Sequence, residues 1–421
     1  MLDIKFIREN KDLVKEGARK KHIEVDIDRL LELDNKRREL LSEVEQKRAE
    51  QNQATEKISK SQDSDEKQSM ISEMQSLKEE LQNKEEELKQ VTIDWQNLMV
   101  LVPNVPDISV PEGEDDNGNQ EVRTWGDIPK FKFEPKSHID LMLDKDMADF
   151  ERGSKVAGFR GYFLKNDAVR LTFSIWQLAY EHFFKKGNFI PMITPSVVRK
   201  EAFMGTGYLP QGEDDLYKTQ DETYLTGTSE VSVMSYYMEE RLERSDLPKK
   251  FFAFSPCFRR EAGSYGKDTK GLMRLHEFFK FEQVVLCEAS HEKSVQFHEE
   301  LTANSEEIMK TLNIPHRVVV NCGGDLGLGQ VKKYDIEAWV PSENTYRETH
   351  SSSYFHDFQT RRLNIKYRDE NGKMRYAHSL NNTAVATPRL LISLIENNQQ
   401  ADGSIVVPEA LRGYMGKEVI K

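Results

Sequence analysis

The chain has 421 residues, 37% of them hydrophobic and 31% charged, with 60 Lys and Arg against 72 Asp and Glu for a net charge of −12. That length accommodates two or more domains, no apolar run approaches a bilayer span, and MLDIKFIRENKD at the N-terminus lacks the apolar core of a signal peptide. Three scattered cysteines, Cys257, Cys287 and Cys322, are too few for a disulfide framework or a four-ligand zinc site, so reduced, buried thiols in a cytoplasmic protein are expected, and any RNA contact must use local basic patches on an acidic background.

From Leu30, apolar or long-stemmed residues recur at alternating steps of three and four: Leu30, Leu33, Arg37, Leu40, Val44, Lys47, Gln51, Ala54, Ile58. After a polar break at Ser59–Glu66 the pattern resumes as Met70, Met74, Leu77, Leu81, Lys84, Leu88, Val91, Trp95, Leu98. Both runs keep a heptad spacing, and the short break predicts an antiparallel two-helix coiled-coil arm over about residues 28–100. Each helix would be roughly 50 Å long at ~1.5 Å per residue. Such a rod has two readings. It is a plain dimerisation coiled coil, or its basic residues Arg29, Lys36, Arg37, Arg38, Lys47 and Arg48 form a stripe that tracks an RNA backbone. The same stripe is also readable as a solvated face balanced by neighbouring glutamates.

The stretch VPNVPDISVPEGEDDNGN is dense in Pro, Gly, Asn and acid, which excludes a helix or a central strand and predicts a linker over 102–130. The domains expected are thus 1–101, an N-terminal domain bearing the arm, then the linker, then 131–421. In the last, helical patterns alternate with strand-like runs such as Phe251–Phe254 and Val318–Val320, and a helix is predicted over about Arg389–Asn397. The fold class is α+β, a largely antiparallel sheet with flanking helices.

Charged residues interrupt this body where a core should carry none. Phe254–Glu282 reads as two antiparallel strands joined by a Gly- and Lys-rich loop. Side chains alternate along a strand, so Met273, Leu275, Phe279 and Phe281 point into a core, and Arg274, His276, Phe278, Lys280 and Glu282 point the other way. Arg259 and Glu261 share a face near the end of the first strand. Two arginines, two carboxylates and a ring suit a nucleoside triphosphate and a zwitterion, since guanidinium forks pair with phosphate or carboxylate and a ring stacks on a base. The plain alternative is an exposed, solvated sheet face.

Phe258-Arg259-Arg260-Glu261, a loop, and Arg274 through Phe278 resemble motif 2 of the class II aminoacyl-tRNA synthetases. Four more segments resemble the seryl branch of that family, in its order along the chain. Lys186 through Thr194-Pro195 resembles motif 1, a dimer-interface element, and Thr226-Gly227-Thr228-Ser229-Glu230 the loop that contacts the amino acid. Asn344 through Ser351, with Asp357 through Arg362, resembles the ATP and metal segment, and Leu380-Asn381-Asn382-Thr383 through Pro388-Arg389 resembles motif 3. The heptad hairpin matches the arm of the seryl enzymes. Some family members carry Ser at the position of His350 and Gly-Ser at Asn382-Thr383.

The resemblance implies serine activation by ATP and transfer to tRNA(Ser) by a homodimer whose arm reaches the other subunit, and leaves open whether tRNA(Sec) is a second acceptor. Arg259 and Arg389 would be the catalytic residues. Thr228, Ser229, Glu230, Arg259, Glu282, Asn381 and Thr383 would bind serine. Arg259, Arg260, Glu261, Arg274, Phe278, Glu348, Thr349, His350, Ser351 and Arg389 would bind ATP, and Glu348 with Ser351 would hold Mg²⁺, for which oxygen donors are suited. Thr383 is also readable as a helix cap, and Thr387-Pro388 as a cap and first helical position. The chain ends soon after motif 3, so tRNA recognition is expected to rest on the arm and on RNA shape. Two rivals are a serine-adenylating ligase for a carrier protein, for which an RNA-length arm has no use, and a non-catalytic coiled-coil scaffold, against which the retained Arg259, Arg274, Glu282, Glu348 and Arg389 speak.

Overall fold

A computed structural model describes residues 1–60, 63–264, 266 and 268–421. The chain forms two compact units, one of Leu2–Arg19 with Ile23–Pro103, the other of Met1, Lys20–His22 and Asn104–Lys421.

The first unit is helical: α1 (Ile4–Glu9), α2 (Lys11–Lys20), α3 (Ile27–Lys60, 34 residues) and α4 (Ser64–Met99, 36 residues). Asp3 caps α1 by accepting from the Lys5 N–H at 2.8 Å. The partners across α3 and α4 run in opposite order, Lys36 with Glu87 at 2.8 Å, Glu43 with Lys84 at 2.8 Å and Thr55 with Met74 at 3.8 Å, so the hairpin is antiparallel. Two residues of the predicted turn, 61 and 62, lie outside those described.

All the predicted seam positions are buried or half-buried, with Leu30, Leu33, Leu40, Val44, Leu81 and Val91 at its sealed end. The polar seam residues fit because their stems cover apolar surface while their charges find partners. Arg37 lays its guanidinium 4.6 Å from the Trp95 ring centre and reaches Asp34 at 3.2 Å, and Lys47 pairs with Glu80. Arg29 pairs with Glu32 at 3.1 Å and Arg48 with Glu85 at 2.6 Å. In this structure the basic residues of α3 are therefore largely balanced by glutamates.

The second unit is built on an eight-stranded sheet. Its strands are β1 (Gln120–Trp125), β2 (Ile190–Ile193), β3 (Lys249–Phe258), β4 (Glu277–Cys287), β5 (His316–Val320), β6 (Lys332–Val340), β7 (Thr345–His356) and β8 (His378–Thr387). They lie in the order β1-β5-β6-β7-β8-β4-β3-β2, antiparallel throughout except for the edge pair β2–β3. Strand β1 lies within the stretch read as linker. Its Pro- and Gly-rich flanks keep it from the centre but leave it free to pair at an edge, with β5.

Four helices matter to the site: α5 (Asn166–Lys186), α6 (Ser229–Met234), α7 (His291–Thr311) and α8 (Arg389–Asn397). Gly187 ends α5 at φ +69°, a left-handed conformation that turns the chain into β2. The main core joins Phe252, Phe281, Val285, Leu301, Ile308, Leu390 and Ile395. Phe252 stacks on Phe183 at 4.2 Å and on Phe281 at 4.6 Å between ring centres. Burying such a ring contributes about 1.5–3 kcal/mol.

The expected alternation of β4 holds along the strand. Phe279 and Phe281 join this aromatic cluster, and Phe278, Lys280 and Glu282 face away from it, toward the cavities described below. The first strand, however, stops at Phe258 and the second starts at Glu277, so Arg259, Glu261, Arg274 and His276 lie on the connection, not on strands. Met273 and Leu275 are buried from that connection. Glu261 has φ +56°, which takes the chain out of the ladder. Behind β4, β7 and β8, a polar layer locks register to α7. Gln283 donates to Asn382 at 2.5 Å and accepts from Asn304 at 2.7 Å, while His298 bonds the Ser352 carbonyl at 2.9 Å. Helix α8 starts at Arg389 behind Pro388, and Thr383 lies within β8, so it caps no helix.

Candidate active site

On the face of the sheet away from α7, the connection after β3, strands β4, β7 and β8, and the start of α8 enclose two adjoining cavities. Arg259, Lys280, Glu348 and Thr383 line both. The first adds Glu261, Arg274, Phe278, Thr349 and Arg389. The second, of about 220 Å³, adds Thr228, Glu230, Glu282, Ser351 and Asn381. A third space of about 690 Å³ continues from the first past Arg274, Glu348 and Arg389, toward Lys333, Asp335 and Arg347.

The first cavity presents guanidinium groups. Arg259 lies with its guanidinium carbon 5.4 Å from the Phe278 ring centre and donates to the Gly227 carbonyl at 3.4 Å. A Cβ on Gly227 would stand 3.2 Å from the Arg259 Cγ, so the glycine lets that side chain lie flat on the loop. Arg274 pairs with Glu261 at 2.9 Å and Asp268 at 3.2 Å. Arg389 is fixed by the Met273 carbonyl at 3.0 Å and by the Glu348 carboxylate at 3.2 Å. These carboxylates hold the cations in place until a more highly charged anion takes them over. Burial pushes the Glu348 carboxyl up, but Arg389, Lys333 and Arg259 outweigh it and hold it well below the ordinary carboxylate range.

The second cavity presents carboxylates and hydroxyls. Glu230 is buried, accepting from Gln359 Nε2 at 2.7 Å and from the Tyr208 hydroxyl at 2.9 Å. Glu282, also buried, pairs with Lys280 and accepts from the Thr383 hydroxyl at 3.4 Å. Lys280 donates in addition to Thr228 Oγ1 at 2.9 Å, and that hydroxyl caps α6 through the Glu230 N–H at 3.2 Å. Burial pushes both carboxyls above their ordinary pKa, against the pull of Gln359 on Glu230 and of Lys280 on Glu282. Two carboxylates with room beside them match an ammonium and a hydroxyl, and Arg259, at the junction, matches a carboxylate.

Three of the residues predicted for the site stand off the cavity surfaces. Ser229 is buried, its hydroxyl 3.4 Å from the Ala253 carbonyl. Arg260 is exposed and bonds Asp215 through its backbone. His350 is buried, with Nδ1 at 2.8 Å from the Thr349 hydroxyl, and burial lowers its pKa to about 3. Two residues not predicted for the site hold Glu230. Tyr208, which also lines the second cavity, lies in Gly205-Thr-Gly-Tyr-Leu-Pro210, where an aromatic between glycines and a proline is a usable signal, and Gln359 lies inside the Asp357–Arg362 segment already singled out.

Among the described residues no group of three or more His, Cys, Asp or Glu side chains is arranged to hold a metal ion by itself. The donors Glu348 and Ser351, which line one cavity, fit a hard cation that takes its remaining ligands from phosphate and water.

Residues 1–106 match the family model described as the seryl-tRNA synthetase N-terminal domain, and residues 213–398 that of the tRNA synthetase class II core domain for G, H, P, S and T. Over 422 residues the chain is 44% identical to serine–tRNA ligase of Deinococcus radiodurans, covering 100% of this chain and 99% of that one. It is 43% identical to that of Caldicellulosiruptor bescii, with 100% of both chains covered. The crystal structure of seryl-tRNA synthetase from Pyrococcus horikoshii complexed with ATP superposes with a TM-score of 0.92 at 36% identity, covering 100% of this chain and 99% of that one. Cytoplasmic serine–tRNA ligase from Naegleria fowleri in complex with AMP superposes with a TM-score of 0.88 at 34% identity over the same shares. With this likeness running the length of both units, the chain belongs to the seryl-tRNA synthetase family of class II aminoacyl-tRNA synthetases.

Proposed function

We propose that this protein is a serine–tRNA ligase that activates L-serine with ATP and passes the seryl group to the 3′ end of tRNA(Ser). The observation that carries the reading is the junction of the two cavities at Arg259, with guanidinium groups and a ring on one side and buried carboxylates on the other.

In the first step a serine carboxylate oxygen attacks the α-phosphorus of ATP, the α–β bridging P–O bond breaks, and pyrophosphate leaves from seryl-adenylate. In the second a ribose hydroxyl of the terminal adenosine attacks the seryl carbonyl, loses its proton, and AMP leaves. Neither step needs an enzyme nucleophile, so the work is orientation and preorganised charge. Arg259 holds the serine carboxylate and α-phosphate together, Arg274 and Arg389 hold the outer phosphates, and Phe278 stacks on adenine. Glu261 and Thr349 border the nucleotide side. Thr228 and Glu230 face the ammonium group, and Glu282, Thr383 and Asn381 surround the hydroxyl. Glu348 and Ser351 would hold Mg²⁺, which when bound neutralises phosphate charge. A pocket that hydrogen-bonds a hydroxyl rejects alanine strongly, because its own polar groups would stay unpaired, whereas an extra methyl on threonine is discriminated by only about 1–3 kcal/mol.

We read the chain further as a cytoplasmic homodimer that takes tRNA on its helical hairpin, the arm of one subunit serving the site of the other. Dimerisation is supported by the exposure of Ile193 (86%) on the edge strand β2 and of Phe184 (69%) and Phe173 (61%) on α5. The compartment is supported by three free, buried thiols. RNA on the hairpin would exchange the pairs of Lys36, Lys47 and Arg48 with glutamates for pairs with phosphates.

Serine-dependent exchange of pyrophosphate into ATP, with alanine, threonine and glycine as controls, tests the reading. Exchange with serine alone is expected. No exchange with any amino acid, in folded protein supplied with Mg²⁺, overturns it.

A further inference from the structure

The loop Gly327–Gln330 lines the second cavity together with Glu230 and Glu282. Each of its four carbonyl groups is held by one of two buried residues remote in sequence, Lys21 (3% exposed) and Asn104 (4% exposed). The Lys21 ammonium donates to the carbonyls of Gly327 at 3.0 Å, Leu328 at 3.1 Å and Gln330 at 2.5 Å. Asn104 donates its backbone N–H to the Leu328 carbonyl at 2.9 Å and its side-chain Nδ2 to that of Gly329 at 3.0 Å. The same Nδ2 reaches the Phe355 carbonyl at 2.7 Å, so Asn104 ties the loop to strand β7. The loop packs closely on Phe358, where a Cβ on Gly329 would stand 2.7 Å from the ring. Gln330 in turn donates to the Ser353 hydroxyl at 2.8 Å, two residues along β7 from Ser351.

A buried ammonium is costly, and burial pulls Lys21 well below its ordinary pKa, so what holds it in place is geometric: three loop carbonyls stand in reach of its donors. An apolar side chain would fill the same space without that cost. What the ammonium adds is geometry: it draws three carbonyl groups of a glycine-rich loop to one point and so fixes the backbone of a cavity wall. We propose that Lys21 and Asn104 are positioning residues of the amino-acid pocket, acting through the loop Gly327–Gln330 to set serine affinity. The proposal rests on the reading of the second cavity as the serine side. Neither residue touches the nucleotide cavity, so the effect is confined to one substrate.

The test is pyrophosphate exchange by the full-length protein with serine and ATP varied separately, for wild type, Lys21→Met, Lys21→Arg and Asn104→Ser, alongside thermal unfolding of each. Lys21→Met is expected to raise KM for serine about tenfold or more, the equivalent of one lost charged hydrogen bond. Its KM for ATP and its kcat are expected to stay within about twofold, with Lys21→Arg recovering part of the loss. Asn104→Ser is expected to raise KM for serine about threefold, and carries the test if Lys21→Met does not fold. Serine KM unchanged in the folded variants, or serine and ATP KM rising together, overturns the proposal. Absence of serine-dependent exchange in the wild type instead overturns the functional reading beneath it.

Discussion

Lys280 and Glu282 stand two residues apart on β4, share one face of the strand, and pair with each other inside the second cavity, with Lys280 also donating to Thr228 at 2.9 Å. Strand alternation makes neighbours of residues i and i+2. The pair links the two ends of the second cavity, since Thr228 leads into Glu230 and Glu282 meets Thr383. On the proposed reading, Lys280 would be the internal countercharge of Glu282, opposing the rise in its pKa that burial causes, and Glu282 would meet the serine hydroxyl.

Removing that countercharge should cost both stability and selectivity. For Lys280→Met we expect a loss of about 3–5 kcal/mol in unfolding free energy, the range for breaking a buried pair from one side. In folded protein at low temperature, KM for serine should rise at least about tenfold and the preference over alanine should narrow, as Glu282 takes up a proton. Urea unfolding and exchange assays with both amino acids read the two effects. Wild-type serine affinity in the variant would show that Glu282 needs no partner.

The two substrates should respond differently to acid. Burial raises the pKa of Glu230 and Glu282, whereas three cations hold Glu348 low. On acidification from neutrality the raised groups take up protons first, so serine binding weakens while the nucleotide side keeps its charge. KM for serine should therefore climb at a higher pH than KM for ATP as the solution is acidified from neutrality. Parallel rises in the two KM values over pH 5–8 would contradict the assignment.

Acid stability carries a signal from His298 and His350, both buried and neutral, with pKa values lowered to about 4 and about 3. A histidine whose folded pKa lies below its unfolded value contributes stability above the unfolded pKa that is lost as pH falls toward the folded one. Each should cost about 1.4 kcal/mol between about pH 8.5 and pH 5.5. Glu230 and Glu282, with raised pKa values, work in the opposite direction. A difference measurement isolates the histidine: His298→Gln should lose about 1.4 kcal/mol less than wild type over that interval. Equal losses would mean that His298 already carries its proton.

Deleting residues 30–98 should separate the two half-reactions. The sheet unit begins its continuous run at Asn104 and holds every residue that lines the two cavities, so serine-dependent exchange should survive within about threefold. Aminoacylation of tRNA(Ser) should fall by at least about a hundredfold, and in the intact protein it should weaken steeply with salt. Full aminoacylation by the deletion variant would remove the hairpin from tRNA recognition.

The hairpin was legible from the sequence because a two-helix seam is a periodic, local property: Leu30, Leu33, Leu40, Val44, Leu81 and Val91 are buried where the three-four spacing puts them. The faces of β4 were legible for the same reason, with a period of two. The guanidinium groups, Phe278 and the carboxylates were recognisable as chemistry that an ordinary core would exclude. What the spacing did not disclose is everything set by distant contacts. Strand β1 is an edge strand only because β5 lies there to pair with it. Arg259 and Arg274 lie beyond the ends of their strands, at Phe258 and Glu277, where the chain breaks from the ladder into the connection. His350 stands among site residues in sequence yet is buried off the cavities, where a register shift between β6 and β7 at Thr349 breaks the strand alternation. Glu230 gains Tyr208 from 22 residues away and Gln359 from 129, and the loop at Gly327–Gln330 gains Lys21 from more than 300. Local periodicity follows from backbone geometry, which each residue carries with it. Long-range pairing follows from burial, which is decided only when the whole chain has chosen which polar groups it must satisfy.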